Sequence, residues 1–230
     1  MPPWLWPRAA YVHVPFCAHH CGYCDFAVAV GQDRQIELYL DALDAELATL
    51  GTPRPVRTLF LGGGTPTHLS ARQLERLLAA AREWLPLVCE PEAQARGVSS
   101  LACASGSTVI VNPPVKPEFS VEATPDSLDA DKLAVLAAGG VTRVSLGAQS
   151  FRPESLSVLE RRHNPEDVSR AVELARRYVC QVSLDLIFGV PGQTLDDWQR
   201  DLDAALALGS DHLSCYGLTY EKGTPLWKQR

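Results

Sequence analysis

Several things are missing from this 230-residue sequence, and each absence narrows its reading. No apolar run approaches the roughly 18 to 20 residues a helix needs to cross a bilayer. Residues 1–10 set Trp4, Leu5 and Trp6 between prolines, with no basic stretch leading into an apolar one. They read as an N-terminal tail and not as a secretory signal. No large charge excess exists either: 21 basic against 27 acidic residues leave a formal charge of −6. Such a balance gives no global drive toward nucleic acid or anionic lipid, although Arg161, Arg162, Arg176 and Arg177 could form a local basic patch. A disulfide framework is also missing, because the seven cysteines are odd in number and thinly spread. That usage fits a reducing compartment, the cytoplasm, and a metal or cluster site. What remains is ordinary globular composition, 46% apolar and 21% charged, enough for one substantial core.

Short apolar runs alternate with amphipathic stretches. Residues 11–15, 56–61, 118–123, 142–146, 182–187 and 212–216 read as strands. Between them, 35–50, 70–84, 129–138, 165–178 and 195–208 read as helices. Ser70 and Asn164 are candidate N-caps, and Gly139 with Gly140 is a helix-stop signal. Six β units separated by helices imply parallel strands with right-handed crossovers. The expected architecture is α/β, a partial (β/α)6 barrel in preference to a doubly wound sheet, because a closed eight-fold barrel needs ~250 residues. Residues 88–117 show little periodicity and read as an irregular insert, a surface loop or a lid. The expected organisation is thus a tail at 1–10 and a core at 11–226 interrupted by that insert.

The densest chemistry lies in CAHHCGYC, where Cys17, Cys21 and Cys24 fall within eight residues. A structural zinc site needs four closed ligands, which His13, His19 or His20 could complete. A [4Fe–4S] cluster held by three cysteines instead leaves one iron without a protein ligand. That open position suits a small molecule bearing an amine and a carboxylate, such as S-adenosylmethionine. Cys89, Cys103, Cys180 and Cys215 read as buried small residues or incidental loop residues.

A C-x3-C-x2-C loop after a first strand resembles the radical S-adenosylmethionine superfamily. The segments YVHVPFCAHHCGYCDF, FLGGGTPTHLS, VEATPDSL, VSLGAQSF and DLIFGVPGQT occur in the order found in one branch. That branch contains the oxygen-independent coproporphyrinogen III dehydrogenases and the HemW heme chaperones. The resemblance runs from Tyr11 to about Leu226 outside the insert. It implies a six-stranded partial barrel, a [4Fe–4S] cluster on Cys17, Cys21 and Cys24, and S-adenosylmethionine as cofactor. It also implies that the family's C-terminal domain is absent from this chain.

Barrel sites lie at the C-terminal ends of strands, and the family motifs fall there. The resemblance places Gly63, Gly64 and Thr65 against the methionine part of the cofactor, where glycines leave room for close approach. It makes Glu122 a cofactor-binding carboxylate and Gln149, Arg161 and Asp185 polar cofactor contacts. Asp185 sits within the apolar VSLDLI, so it needs a partner, either Arg161 or the cofactor. Tyr11 and Tyr23 flank the cysteine loop and pack either on cofactor or in the core. His163 reads as a helix-start or surface residue.

Within the branch, the dehydrogenases carry a further cysteine two positions after the third. This sequence has Asp25 and Phe26 there, as the heme chaperones do. The resemblance therefore implies heme or porphyrin as ligand, a flavodoxin- or ferredoxin-type electron donor, and a heme-receiving partner. The alternative it carries is oxidative decarboxylation of coproporphyrinogen III. A heme motif from the family's C-terminal region is not found here.

Overall fold

The computed structural model describes residues 8–88 and 116–229. Most of the expected insert, residues 89–115, lies outside the described residues, as do Cys89, Cys103 and most of the expected tail. The main sheet has six strands in the order β1 (Ala9–Val14), β4 (Thr58–Gly63), β5 (Glu118–Ala123), β6 (Arg143–Gln149), β7 (Gln181–Phe188) and β8 (His212–Gly217). Every neighbouring pair is parallel. A doubly wound sheet reverses its strand order at a switch point. Here the spatial order is the chain order, as in a barrel, and β1 is not paired with β8.

Strand alternation divides the sheet into two unlike faces. Val12, Leu61, Val121, Val144 and Val182, with Val14, Leu59, Phe119, Leu146 and Leu184 two residues along the same strands, point outward and are buried. They form one continuous core with Leu40 and Leu47 of α1 (Ile36–Ala48), Leu74, Leu77 and Leu78 of α2 (Ala71–Trp84), and Leu133 and Leu136 of α3 (Ala130–Ala138). Val168 and Val172 of α5 (Pro165–Ala175) and Ala205 of α6 (Leu195–Ala207) complete it. The opposite face is polar, with Glu122, Ser145 and Ser183 in register across the strands and Asp185 two residues further along β7, opposite Gly147. Burial of the outer face stabilises the fold; the inner face is left for chemistry.

The helices begin and end where local chemistry directs. At α2, the Gln73 amide donates to Ser70 Oγ while Gln73 Oε1 accepts from the Ser70 amide. Asn164 and Asp167 form the same reciprocal cap on α5, followed by Pro165. After α3, the Val141 amide reaches back to the Leu136 carbonyl, and Gly140 takes a φ of 83°.

Three features depart from the sequence reading. β6 continues to Gln149, so that residue ends the strand instead of following it. A short helix α4 (Pro153–Val158) opens on Pro153, in a segment too brief to show helical periodicity. Two additional strands, β2 (Phe16–Cys17) and β3 (Ala29–Val30), pair with each other at the base of the cysteine loop. Cys180 and Cys215 are both exposed, which fits incidental placement and not a core role.

Candidate cofactor site

The loop between β2 and β3 is held from several sides. Phe16 pairs with Ala29 and Cys17 with Val30. The Ala29 amide donates to the Pro15 carbonyl at 2.7 Å. His13 Nε2 bonds to the Ala27 carbonyl at 2.9 Å, and His20 Nε2 to the Cys24 carbonyl at 2.8 Å. His20 therefore shapes the loop, a role its exposed position in the sequence motif did not announce. The Leu226 amide donates to the Gly22 carbonyl at 2.9 Å, so the last described turn also grips the loop.

Cys17, Cys21 and Cys24 all line one cavity of about 620 Å3 at the C-terminal end of the barrel. The same cavity receives Tyr23, Gly63, Gly64, Thr65, Glu122, Gln149, Arg161 and Asp185. Every one of the expected site residues lines it except Tyr11. Tyr11 stacks on Phe60, with ring centroids 5.9 Å apart, and places its hydroxyl 3.3 Å from His13 Nδ1. It stands behind Gly63 because odd-numbered residues of β1 point to the inner face below the cavity.

The glycines at the end of β4 and just after it make room chiefly for the protein itself. A Cβ on Gly63 would lie 2.3 Å from the His13 ring, one on Gly62 2.8 Å from the Glu122 carboxylate, and one on Gly64 2.7 Å from the Pro15 backbone. Gly63 also has a φ of 110°. The close approach expected of a ligand is already made by β1 and β5.

Burial is the dominant influence on the carboxyls. It raises the Glu122 pKa, against the opposing effect of the Gly63 amide donated at 2.8 Å. It also raises that of Asp185, opposed by the Ser214 and Ser145 hydroxyls. Ser145 Oγ lies 3.0 Å and 3.1 Å from the two Asp185 oxygens. Of the two partners expected for Asp185, Arg161 or the cofactor, Arg161 does not pair with it: serines partner the carboxylate across β6 and β8. Ser145 is a lining residue that the sequence reading missed; its place two residues before Gly147 on the inner face was the available signal.

Arg161 instead turns to the cysteine loop. Its Nη1 lies 3.2 Å from Cys21 Sγ, and its Nη2 donates to the Gly147 carbonyl at 2.8 Å. Burial lowers its pKa, but Tyr23 and Cys21 beside it outweigh this, leaving it raised. Its Nε is buried and has no hydrogen-bond partner among the described residues. His163, read as a helix-start or surface residue, directly precedes the Asn164 cap of α5 but is buried, with Nε2 2.9 Å from the Ala148 carbonyl. It helps to fix the end of β6. Lys132 reaches the carbonyls of Thr67 and Ser127 at 2.7 Å and 3.0 Å, joining two loops of the cavity wall.

The donors fit an iron–sulfur cluster. Burial raises the pKa values of Cys17 and Cys24, with neighbouring thiols adding to the effect. A cationic body between them would remove that penalty. Among the described residues no three His, Cys, Asp or Glu side chains meet at single-ion distances. Three thiols around a cavity suit a body larger than one ion. The orphaned Arg161 Nε adds a donor in the same wall.

A sequentially ordered parallel barrel with a three-cysteine loop at its C-terminal end defines the class: a barrel built to hold an open cluster. Comparison with known proteins narrows this. The Radical SAM superfamily model matches residues 11–205. The chain belongs to the radical SAM superfamily, whose members hold a [4Fe–4S] cluster and S-adenosylmethionine. It is 38% identical to the heme chaperone HemW of Bacillus subtilis over 94% of this chain and 52% of that protein. It is 34% identical to the Escherichia coli heme chaperone HemW over 95% of this chain and 52% of that protein. Among solved structures, the Escherichia coli coproporphyrinogen III oxidase HemN, a radical SAM enzyme, matches with a TM-score of 0.75 and 30% identity. That match covers 94% of this chain and 45% of the other. The chain spans about half the length of the curated relatives it matches. No helix among the described residues is long and apolar enough to cross a membrane.

Proposed function

We propose that the chain is the S-adenosylmethionine-binding core of a heme-handling protein of the HemW type. The observation that carries this is the single cavity shared by three cysteines and the polar inner face. Support for heme handling, in place of decarboxylation, comes from the heme chaperones it resembles and from Asp25–Phe26 following Cys24. Cys17, Cys21 and Cys24 would hold the cluster. An open cluster supplies a free coordination position and an electron for cleaving a sulfonium carbon–sulfur bond.

The chain's own groups do the rest. Arg161 donates toward Cys21 and offsets thiolate charge in a buried setting, where an unpaired charge is costly. Glu122 is fixed by the Gly63 amide and presents its remaining acceptor capacity to hydroxyl or ammonium groups. Asp185, steadied by Ser145, offers a second acceptor deeper in β7. Gln149 supplies an amide able to donate and accept. Thr65 lies 3.5 Å from Cys17 Sγ and is nearly buried, so it screens that thiol from water. Tyr23 packs beside Arg161, and Gly64 completes the wall next to Thr65. Tyr11 belongs behind this wall, supporting His13.

The partners in this reading are heme or a porphyrin, a flavodoxin- or ferredoxin-type reductant, and a heme-receiving protein. The compartment is the reducing cytoplasm, and residues 11–226 act as the core. The test is anaerobic reconstitution, iron and sulfide counting, and EPR of the reduced protein with and without S-adenosylmethionine, followed by heme titration. About four irons, a spectrum that changes with S-adenosylmethionine, and one-to-one heme binding are expected. Protoporphyrinogen formed from coproporphyrinogen III under anaerobic turnover would replace the chaperone reading with the decarboxylating one. A zinc-loaded protein without sulfide would overturn both.

A further inference from the structure

Asp201 lies on α6, outside the barrel, and does not line the cavity. It is fully buried, at 0% exposure. Its carboxylate accepts the Ser150 hydroxyl at 2.8 Å and 3.0 Å and the Phe151 amide at 2.7 Å. It also accepts Gln193 Nε2 at 3.3 Å. Gln193 Oε1 in turn accepts the Gly189 amide at 2.8 Å, in the loop after β7. One buried carboxylate thus fastens the ends of two adjacent strands that border the cavity.

The residue just before this clamp is Gln149. Its φ is 65°, a left-handed conformation that a glutamine adopts only when its surroundings impose it. The pairing of β6 with β7 shifts register between Gly147 and Gln149. The twist carries the Gln149 amide over Gly147, with its Nε2 2.8 Å from where a Cβ would stand and Arg161 Nη2 at 3.5 Å from the same point. Hydrogen bonds to a buried carboxylate are strong, and α6 is a rigid support for them.

We propose that Asp201 is a positioning residue: from outside the barrel it holds Gln149 in its left-handed conformation, with its amide in the cavity, and couples it to the Gly189–Gln193 loop. The consequence for ligand affinity rests on the reading that the cavity takes S-adenosylmethionine. The conformational claim stands without it.

The first experiment needs no ligand. Thermal unfolding of the full chain is measured for Gln149→Gly in the parent and in an Asp201→Ala background. In the parent, glycine relieves the imposed φ and raises Tm by about 2–4 °C. With Asp201 gone, residue 149 relaxes and the gain disappears. An equal gain in both backgrounds overturns the proposal. If Asp201→Ala does not fold, Ser150→Ala removes part of the clamp and serves as the background; the gain then falls, and an undiminished gain overturns the proposal.

The second experiment measures S-adenosylmethionine affinity of the reconstituted protein. Gln149→Ala and Asp201→Asn each weaken binding by up to about tenfold, as expected for one lost hydrogen bond. Together they also weaken it by about tenfold, because both act through the same contact. Independent effects that multiply to about a hundredfold overturn the coupling. A parent chain that binds no S-adenosylmethionine sinks the cofactor reading, while the unfolding cycle still decides the clamp.

Discussion

Replacing Gly63 with alanine makes two demands on the structure, and they can be separated. The first is conformational: Gly63 has a φ of 110°, and holding an L-residue there costs about 1–3 kcal/mol. The second is steric. The new Cβ would stand 2.3 Å from His13 Nδ1 and Cε1, well inside any real contact. The imidazole must swing away, losing its 2.9 Å bond to the Ala27 carbonyl and its 3.3 Å contact with the Tyr11 hydroxyl. Those two losses add about 1–2 kcal/mol. The expected destabilisation is therefore about 2–5 kcal/mol, or a fall in Tm of roughly 5–15 °C. The assay is thermal unfolding followed by circular dichroism. Gly51→Ala is the control: its φ is 68°, but nothing lies within 4 Å of the added carbon, so it bears the conformational cost alone. His13→Ala is the second control. In that background the cost of Gly63→Ala should fall toward that of Gly51→Ala, since the His13 collision is gone and only the Tyr11 hydroxyl, 3.0 Å from the new carbon, remains. Because His13 also anchors the cysteine loop at Ala27, Gly63→Ala should lower iron incorporation as well. Equal Tm values for Gly63→Ala and Gly51→Ala would refute the collision argument, whatever happens to the iron.

Other perturbations probe different layers. Cys21→Ser should reduce bound iron and acid-labile sulfide well below the parent's content, measured after anaerobic reconstitution. Arg161→Met removes the donor 3.2 Å from Cys21 Sγ and a nearby positive charge; both changes favour the oxidised cluster, so potentiometry should show a lower midpoint. Ser70→Ala deletes half of the α2 capping box and should cost about 1 kcal/mol in denaturant unfolding, with the site unaffected. His163 is buried, and burial together with Arg161 lowers its pKa. The unfolded chain then binds the proton first, so stability from neutral His163 is full above about pH 6.5 and is lost as pH falls toward the depressed value. His163→Gln, which can still donate to the Ala148 carbonyl, should flatten that part of the Tm–pH curve. Glu122 and Asp185, with raised pKa values, favour the folded state as pH falls, so the comparison must be variant against parent.

How much of this was legible in the sequence depends on which face of the sheet a residue joins. The outer face repeats valine and leucine at period two between capped amphipathic helices, so six parallel strands could be read from the pattern, with a partial barrel preferred and the strand order supplied by the structure. The cysteine loop was legible too, because three thiols at that spacing admit few alternatives. The inner face was harder. Asp185 needed a partner, Arg161 or the cofactor on the sequence reading, and it takes hydroxyls from strands β6 and β8. Nothing local in VSLDLI indicates that Ser145 stands opposite it in space. His163 read as a helix-start or surface residue; it does stand at the start of α5, but it is buried and seals the end of β6. Asp201 sits in the amphipathic stretch of α6 with no local signal that marks it out. In each case the deciding partner is 15 to 51 residues away in sequence. Periodicity reports which side of an element is buried; it carries no signal for which polar groups meet across the barrel. That limit follows from the chemistry of the two layers. Apolar burial is non-directional, so pattern suffices to specify it. A buried hydrogen-bond network requires particular partners at particular distances. The residues that hold the cavity's shape, His163 in its wall and His13 and Asp201 behind it, therefore become visible only once the fold has brought their partners to them.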